Sequence, residues 1–208
     1  MAVSFIWDLD GTLLDSYGVI VPSVCEMLAE KGISSDPEEV RRFVIARSVK
    51  EYLQLLGREY GFDYAPAKER YSAITEKHNA DIRLMEGARE TLQALSEKGV
   101  RHFVLTHRGR TTEAVLRTVG LEGVFEETVT SLNGFARKPD PEGLNYLIGK
   151  YGLDRAETYY VGDRPLDIDC AANALVHSVL YEPDESLGLA SGKEEYVVRR
   201  LTDIVGLV

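Results

Sequence analysis

The sequence predicts an α/β protein: a parallel sheet with helices on both faces, interrupted near its start by an all-helical insertion. Three observations lead there. An apolar run at residues 3–7 ends in the acidic pair Asp8 and Asp10. Residues from about 17 to 82 show apolar positions at helical spacing and no strand-like alternation. From Gly87 onward, helical and strand-like stretches alternate. That alternation builds a parallel sheet, because each crossover carries a helix back over a sheet face. The expected boundaries are 1–16 and 83–208 for the α/β core and 17–82 for the helical insertion.

Residues 3–7 read as a short buried strand, since a continuous apolar run suits a strand covered on both faces. Residues 19–29 carry apolar side chains at helical spacing and stop at Lys31-Gly32, a helix end of the glycine type. Asp36-Pro37-Glu38-Glu39 reads as a helix start: a capping carboxylate, proline in the first turn, then acids near the positive end of the dipole. Residues 49–60 and 67–81 are two further helical patterns. In the core, helices are expected at 88–98, 111–119, 141–151, 165–174 and 194–204. Strands are expected at 100–105, 125–129, 158–161 and 176–180. Ligands of such sheets bind beyond the carboxyl ends of the strands, near the switch in strand order.

A length of 208 residues accommodates one core plus one inserted subdomain. The 44% hydrophobic and 28% charged content is ordinary for a soluble globular chain. A net charge of −10 argues against nucleic acid or an anionic membrane as a main partner. Cys25 and Cys170 match no metal-ligand spacing and are expected reduced and buried, as in a cytoplasmic protein. No basic stretch precedes an apolar run at the N-terminus, so no secretory signal is read. The longest uncharged run, residues 170–181, is too short for the roughly 20 residues of a membrane span.

Asp8 and Asp10 lie two apart at a strand end, followed by Gly11. If strand geometry persists, both carboxylates point to one side. Such proximity is costly without a cation or a shared proton. A solvated acidic turn is the alternative for the pair on its own. Three downstream segments tip the balance towards metal-dependent phosphoryl transfer. Leu105-Thr106-His107-Arg108-Gly109 follows a strand, and its hydroxyl and backbone N–H groups suit a phosphate. Arg137-Lys138-Pro139-Asp140-Pro141 precedes a helix. Gly162-Asp163-Arg164-Pro165-Leu166-Asp167 closes a strand and opens a helix, with its acids four apart and so in one region.

Together, Asp8-Leu9-Asp10-Gly11-Thr12, Thr106, Lys138-Pro139 and Gly162-Asp163 with Asp167 resemble, in order, the four motifs of the haloacid dehalogenase-like (HAD) superfamily. The resemblance covers essentially the whole chain and implies a Rossmann-like core with a helical cap. It implies that Asp8 is the nucleophile and Asp10 the general acid/base, with Thr106 and Lys138 binding the phosphate. Many relatives have Asn where this chain has His107. A phosphate-binding role for His107 therefore stands beside an ordinary loop histidine. Asp8, Asp163 and the backbone carbonyl of Asp10 would form part of a Mg²⁺ shell, since Mg²⁺ prefers hard oxygen ligands and keeps several waters. Asp167 is expected to orient the shell from outside it.

The expected activity is Mg²⁺-dependent hydrolysis of a small phosphorylated metabolite through an aspartyl-phosphate, by an enzyme similar to phosphoglycolate phosphatases. Asp10 speaks against a dehalogenase or a phosphonatase. A β-phosphoglucomutase-like pattern would have Val at Thr12 and His at Ile20. A non-catalytic binding protein on the same scaffold is a further alternative. The cap is expected to act as a lid hinged at residues 16–18 and 81–87. It carries 11 acids and 9 bases between residues 16 and 82, so it is less acidic than the rest of the chain. Arg47 and Lys50, between two cap helices, either recognise an anionic leaving group or simply solvate a helix start. The sequence carries no signal for an oligomeric state.

Overall fold

The computed structural model describes residues 2–208. They form two compact units, one made of residues up to Asp15 together with Arg83–Val208, the other of Ser16–Ile82.

The first unit is built on a six-stranded parallel sheet. Its strands are β1 (Ser4–Trp7), β4 (Arg101–Leu105), β5 (Glu127–Val129), β6 (Thr158–Gly162), β7 (His177–Tyr181) and β8 (Tyr196–Val198), in the order β5-β4-β1-β6-β7-β8. The chain starts in the middle, steps outward to β4 and β5, then returns to β6 on the other side of β1. β1 is thus the switch point, and its carboxyl end is where such sheets place a ligand. All four β1 residues are buried, which is why Phe5, Ile6 and Trp7 are apolar in succession rather than in alternation with polar residues.

The helices of this unit are α5 (Ala88–Glu97), α6 (Thr112–Thr118), α7 (Glu142–Tyr151) and α8 (Pro165–Ala174). One core gathers Ile6, Phe103, Tyr160, Leu144, Leu147 and Ala171. Elsewhere in the sheet, His102, Phe5, Tyr159 and His177 are register neighbours on four adjacent strands. Phe5 stacks on Tyr159 at 4.8 Å, and Tyr159 on His177 at 4.6 Å.

The helix expected at 194–204 is instead β8 followed by a 3₁₀ segment, Leu201–Leu207. Tyr196, Val197 and Val198 are strong strand formers, and the open edge of β7 supplies backbone partners. The strand expected at 125–129 pairs only over Glu127–Val129. The sheet therefore has six strands where five were expected. A small antiparallel pair, β2 (Leu14–Asp15) with β3 (Arg83–Leu84), escapes the sequence reading altogether. Cys170 is buried, whereas Cys25 is only partly so; both are free thiols.

The second unit consists of α1 (Tyr17–Ala29), α2 (Pro37–Ala46), α3 (Val49–Tyr60) and α4 (Tyr64–Lys77). Val24, Met27, Leu28, Val40, Leu53 and Ile74 form its core. The Asp36 carboxylate caps α2 by accepting from the Glu38 amide at 3.0 Å. Ser48 caps α3 by accepting from the Glu51 amide at 3.1 Å. The helix expected at 67–81 starts one turn earlier, ends at Lys77, and is followed by a 3₁₀ turn, Asn79–Asp81. Arg70 makes a two-pronged pair with Glu30, tying α4 to α1. No described helix is long and apolar enough to cross a membrane.

Candidate active site

Asp8 follows β1 directly. Its amide donates to the Val161 carbonyl at 2.9 Å, so the residue is still held in sheet register. Its side chain is almost completely buried. Oδ1 accepts from the Leu9 amide at 2.8 Å. Oδ2 lies 2.9 Å from Lys138 Nζ and 3.2 Å from Arg164 Nη2. Burial by itself would raise the Asp8 pKa, but Lys138 and Arg164 outweigh it and bring it down to about 2. Asp8 is therefore a carboxylate at neutral pH.

The chain turns away from Asp8 through Gly11, whose φ of +85° favours glycine. The Leu9 carbonyl accepts from the amides of Thr12, Leu13 and Leu14 across this turn. Thr12, fully buried, donates through Oγ1 to Asp163 Oδ1 at 3.2 Å. The Asp10 carboxylate meets Arg108, with Nε at 3.1 and 3.2 Å from its two oxygens and Nη2 at 2.5 Å from Oδ1.

Thr106 comes immediately after β4, and its amide still bonds to the Val129 carbonyl. Its Oγ1 accepts from the Arg108 amide at 3.1 Å. His107, next along, accepts through Nε2 from the Lys138 amide at 3.0 Å. Burial first, then the charges of Lys138 and Arg137, push its pKa down to about 2, so the imidazole stays neutral.

Lys138 is buried, and its ammonium reaches three groups: Asp8, Asp167 Oδ1 at 2.6 Å and the Tyr160 hydroxyl at 2.9 Å. Burial would lower its pKa, but Asp167 and Asp8 more than compensate and raise it. The Lys138–Pro139 peptide is cis. On the far side, Asp140 accepts from the Glu142 amide at 3.0 Å and starts α7.

Asp163 follows β6, and Asp167 lies in the first turn of α8. The two elements approach so closely at Gly162 that a Cβ there would sit 2.3 Å from the Cβ of Asp167; only glycine fits. Asp167 is fully buried and already has donors on both oxygens. Lys138 and Tyr160 face Oδ1, and the Arg164 amide donates to Oδ2 at 3.2 Å. Burial raises its pKa against the pull of Lys138.

Asp8, Asp163 and Asp167 form a buried group in which one carboxylate oxygen from each lies within 4.8 Å of the others. A donor set made only of carboxylate oxygen suits a hard divalent cation. The carboxylate of Asp10 does not join that group. Three side chains here were not anticipated from sequence: Arg108, Arg164 and Tyr160. The two arginines had a readable signal, each lying inside a segment already singled out. Tyr160 had none, because its hydroxyl joins the site only through the pairing of distant segments. Arg47 and Lys50 lie in the helical unit, where Arg47 is exposed, sits over the Phe43 ring and pairs with Glu51 at 3.5 Å.

Carboxylates beyond adjacent strand ends, a buried lysine bridging two of them, and a switch-point sheet define a hydrolase of the HAD type. A sequence profile of haloacid dehalogenase-like hydrolases matches residues 5–181, and the chain belongs to that family. It is 29% identical to a phosphoglycolate phosphatase of Mannheimia succiniciproducens, over 97% of this chain and 96% of that one. It is 24% identical to the pyrophosphatase PpaX of Bacillus pumilus, over 98% and 94% of the two chains. Among solved structures, a predicted phosphoglycolate phosphatase from Haemophilus somnus superposes with a TM-score of 0.84 at 21% identity, covering 99% and 97% of the two chains. The family resemblance read from the four motifs is borne out, and the relatives lie on its phosphoglycolate phosphatase-like branch.

Proposed function

We propose that this protein is a Mg²⁺-dependent phosphatase that hydrolyses a small anionic phosphomonoester, of the size of phosphoglycolate, through an aspartyl-phosphate. The observation that carries this reading is the state of Asp8: ionised, buried, and held between Lys138 and Arg164 at the end of the central strand.

Asp8 attacks phosphorus in line, and the electron pair of the breaking P–O bond goes to the leaving oxygen. Asp10 protonates that oxygen, then takes a proton from the water that clears the intermediate. Thr106 and Lys138 hold the transferring group, Lys138 as a charge that Asp167 and Tyr160 keep in place. We assign His107 to fixing the Lys138 backbone rather than to the phosphate, because its Nε2 is engaged by the Lys138 amide. Asp8 and Asp163, with the Asp10 carbonyl, would hold Mg²⁺, and Asp167 would support them from behind. When bound, the ion supplies positive charge against the phosphoryl oxygens. The Thr12 hydroxyl bonds Asp163, which a valine could not do; this favours a phosphatase over a phosphomutase of the β-phosphoglucomutase kind. The helical unit would select the leaving group, with Arg47 and Lys50 as the cations for a carboxylate or second phosphate. A cytoplasmic location fits such a substrate.

The test is a panel of phosphorylated metabolites, including phosphoglycolate and pyrophosphate, assayed with Mg²⁺. Release of phosphate from a small anionic monoester is expected. Asp8→Asn should lower turnover by several orders of magnitude and abolish trapping of phosphate on the protein. Wild-type turnover by that variant would refute the mechanism.

A further inference from the structure

Asp10 faces a demand that Asp8 does not. In the mechanism above it must meet the leaving oxygen in the first step and a water in the second. Its carboxylate is held by Arg108, 98 residues away in sequence, from the loop after β4. The Arg108 guanidinium grips Asp10 through Nε and Nη2 together, with Nη2 at 2.5 Å from Oδ1. Arg108 is itself held at both ends: guanidinium Nη1 donates to Thr111 Oγ1 at 3.1 Å, and the backbone amide donates to Thr106 Oγ1 at 3.1 Å. Its side chain is 6% exposed and that of Asp10 is 22% exposed. A planar two-pronged pair fixes orientation as well as distance, which a lysine ammonium does not.

We propose that Arg108 is the positioning residue of Asp10, with Thr111 fixing the plane of its guanidinium and Thr106 anchoring its backbone. The inference rests on the acid/base reading of Asp10. In the first step the P–O bond breaks, its electron pair stays on the leaving oxygen, and the Asp10 proton goes to that oxygen. In the second, water oxygen bonds to phosphorus, Asp8 departs as carboxylate, and the water proton returns to Asp10. Misplacing Asp10 should therefore hurt in proportion to how much the leaving group needs its proton.

That dependence is measurable. A series of aryl phosphates, from acidic to weakly acidic phenols, is completed by one alkyl phosphate. The value of kcat/KM is measured for wild type, Asp10→Asn, Arg108→Lys and Arg108→Met; it reports the steps up to and including formation of the aspartyl-phosphate, not its breakdown. Asp10→Asn should lose roughly 10²- to 10⁴-fold on the alkyl ester and little on the most acidic phenol. Arg108→Met should lose roughly 10- to 100-fold more on the alkyl ester than on the acidic phenol. Arg108→Lys should fall between it and wild type. Each slope is a ratio within one preparation, so it is independent of the fraction folded, and Arg108→Lys carries the test if Arg108→Met does not fold. A steep slope for Asp10→Asn with wild-type slopes for the Arg108 variants would overturn the assignment of Arg108 and leave the reaction intact. A wild-type slope for Asp10→Asn would overturn the acid/base reading, and this inference with it.

Discussion

Two histidines in one row of the sheet show how differently the same side chain behaves under different partners. His102 is buried and accepts through Nδ1 from Trp7 Nε1 at 3.1 Å. Burial brings its pKa down to about 4. His177 has Glu195 Oε2 at 2.6 Å from Nδ1 and the Ala156 carbonyl at 2.9 Å from Nε2. Two acceptors are both satisfied only by the doubly protonated ring. Burial would lower the His177 pKa, but Glu195 and the carbonyl raise it above the ordinary value. The consequences for stability have opposite signs. Between about pH 4 and 6.5 the unfolded chain protonates His102 and the folded chain does not, so its share of stability falls as pH drops through that window. The share of His177 is present below 6.5 and is lost as pH rises through its raised folded value. In urea melts against pH, His102→Gln should flatten the acid limb by up to about 1.4 kcal/mol per pH unit. His177→Gln should flatten only the loss on the alkaline side of 6.5. At this scale the sequence revealed the strand-end carboxylates, Thr106 and Lys138, because each sits in a short local pattern. It placed Arg108 and Arg164 inside two of those patterns but could not tell that they are buried, since an arginine in a polar loop looks the same whether solvated or buried.

At the level of elements, local chemistry decided what was legible. Pro165 in the first turn made α8 readable to the residue, and Asp36 did the same for the start of α2. β8 was misread because Glu194 to Ile204 has a passable helical pattern, and only the vacant edge of β7 turns Tyr196–Val198 into a strand. The two-residue strands β2 and β3 were invisible because their pairing joins distant positions. The junction of β6 with α8 has a sharper requirement. Gly162→Ala would drive a methyl group into Asp167, forcing the helix or the strand to move. Overpacking of this kind costs roughly 1–3 kcal/mol. Since Asp167 holds Lys138, activity should fall further than thermal stability predicts. Measuring Tm and turnover on the same preparation checks this, and an active variant of unchanged Tm would show that the contact relaxes freely.

Over the whole molecule, charge is unevenly used. The chain carries −10, yet Lys138, Arg108 and Arg164 are all buried beside the strand-end acids. Asp8, Asp10, Asp163 and Asp167 still outnumber them by one. A divalent cation held there would more than offset that remaining charge, so added Mg²⁺ should raise Tm by mass action, and chelator should remove both the shift and the activity. Asp163→Asn should abolish the shift; a shift that survives would place the ion elsewhere. Substrate choice belongs to the same scale. Arg47→Ala should raise KM for the best metabolite while leaving turnover of a generic aryl phosphate almost unchanged. Equal losses on both would point to stability rather than recognition.

The β2–β3 ribbon has a consequence for how such a protein can change over time. Asp15 pairs with Arg83, and Leu14 with Leu84, in antiparallel register, so the chain leaves the sheet unit and re-enters it at neighbouring points. Everything from Ser16 to Ile82 is thus a cassette between two clasped ends. A hairpin turn of roughly two to five residues spans such a gap. Replacing the cassette with a Gly-containing turn should leave a truncated chain that still melts cooperatively, and grafting a foreign helical segment there should retarget specificity without rebuilding the sheet.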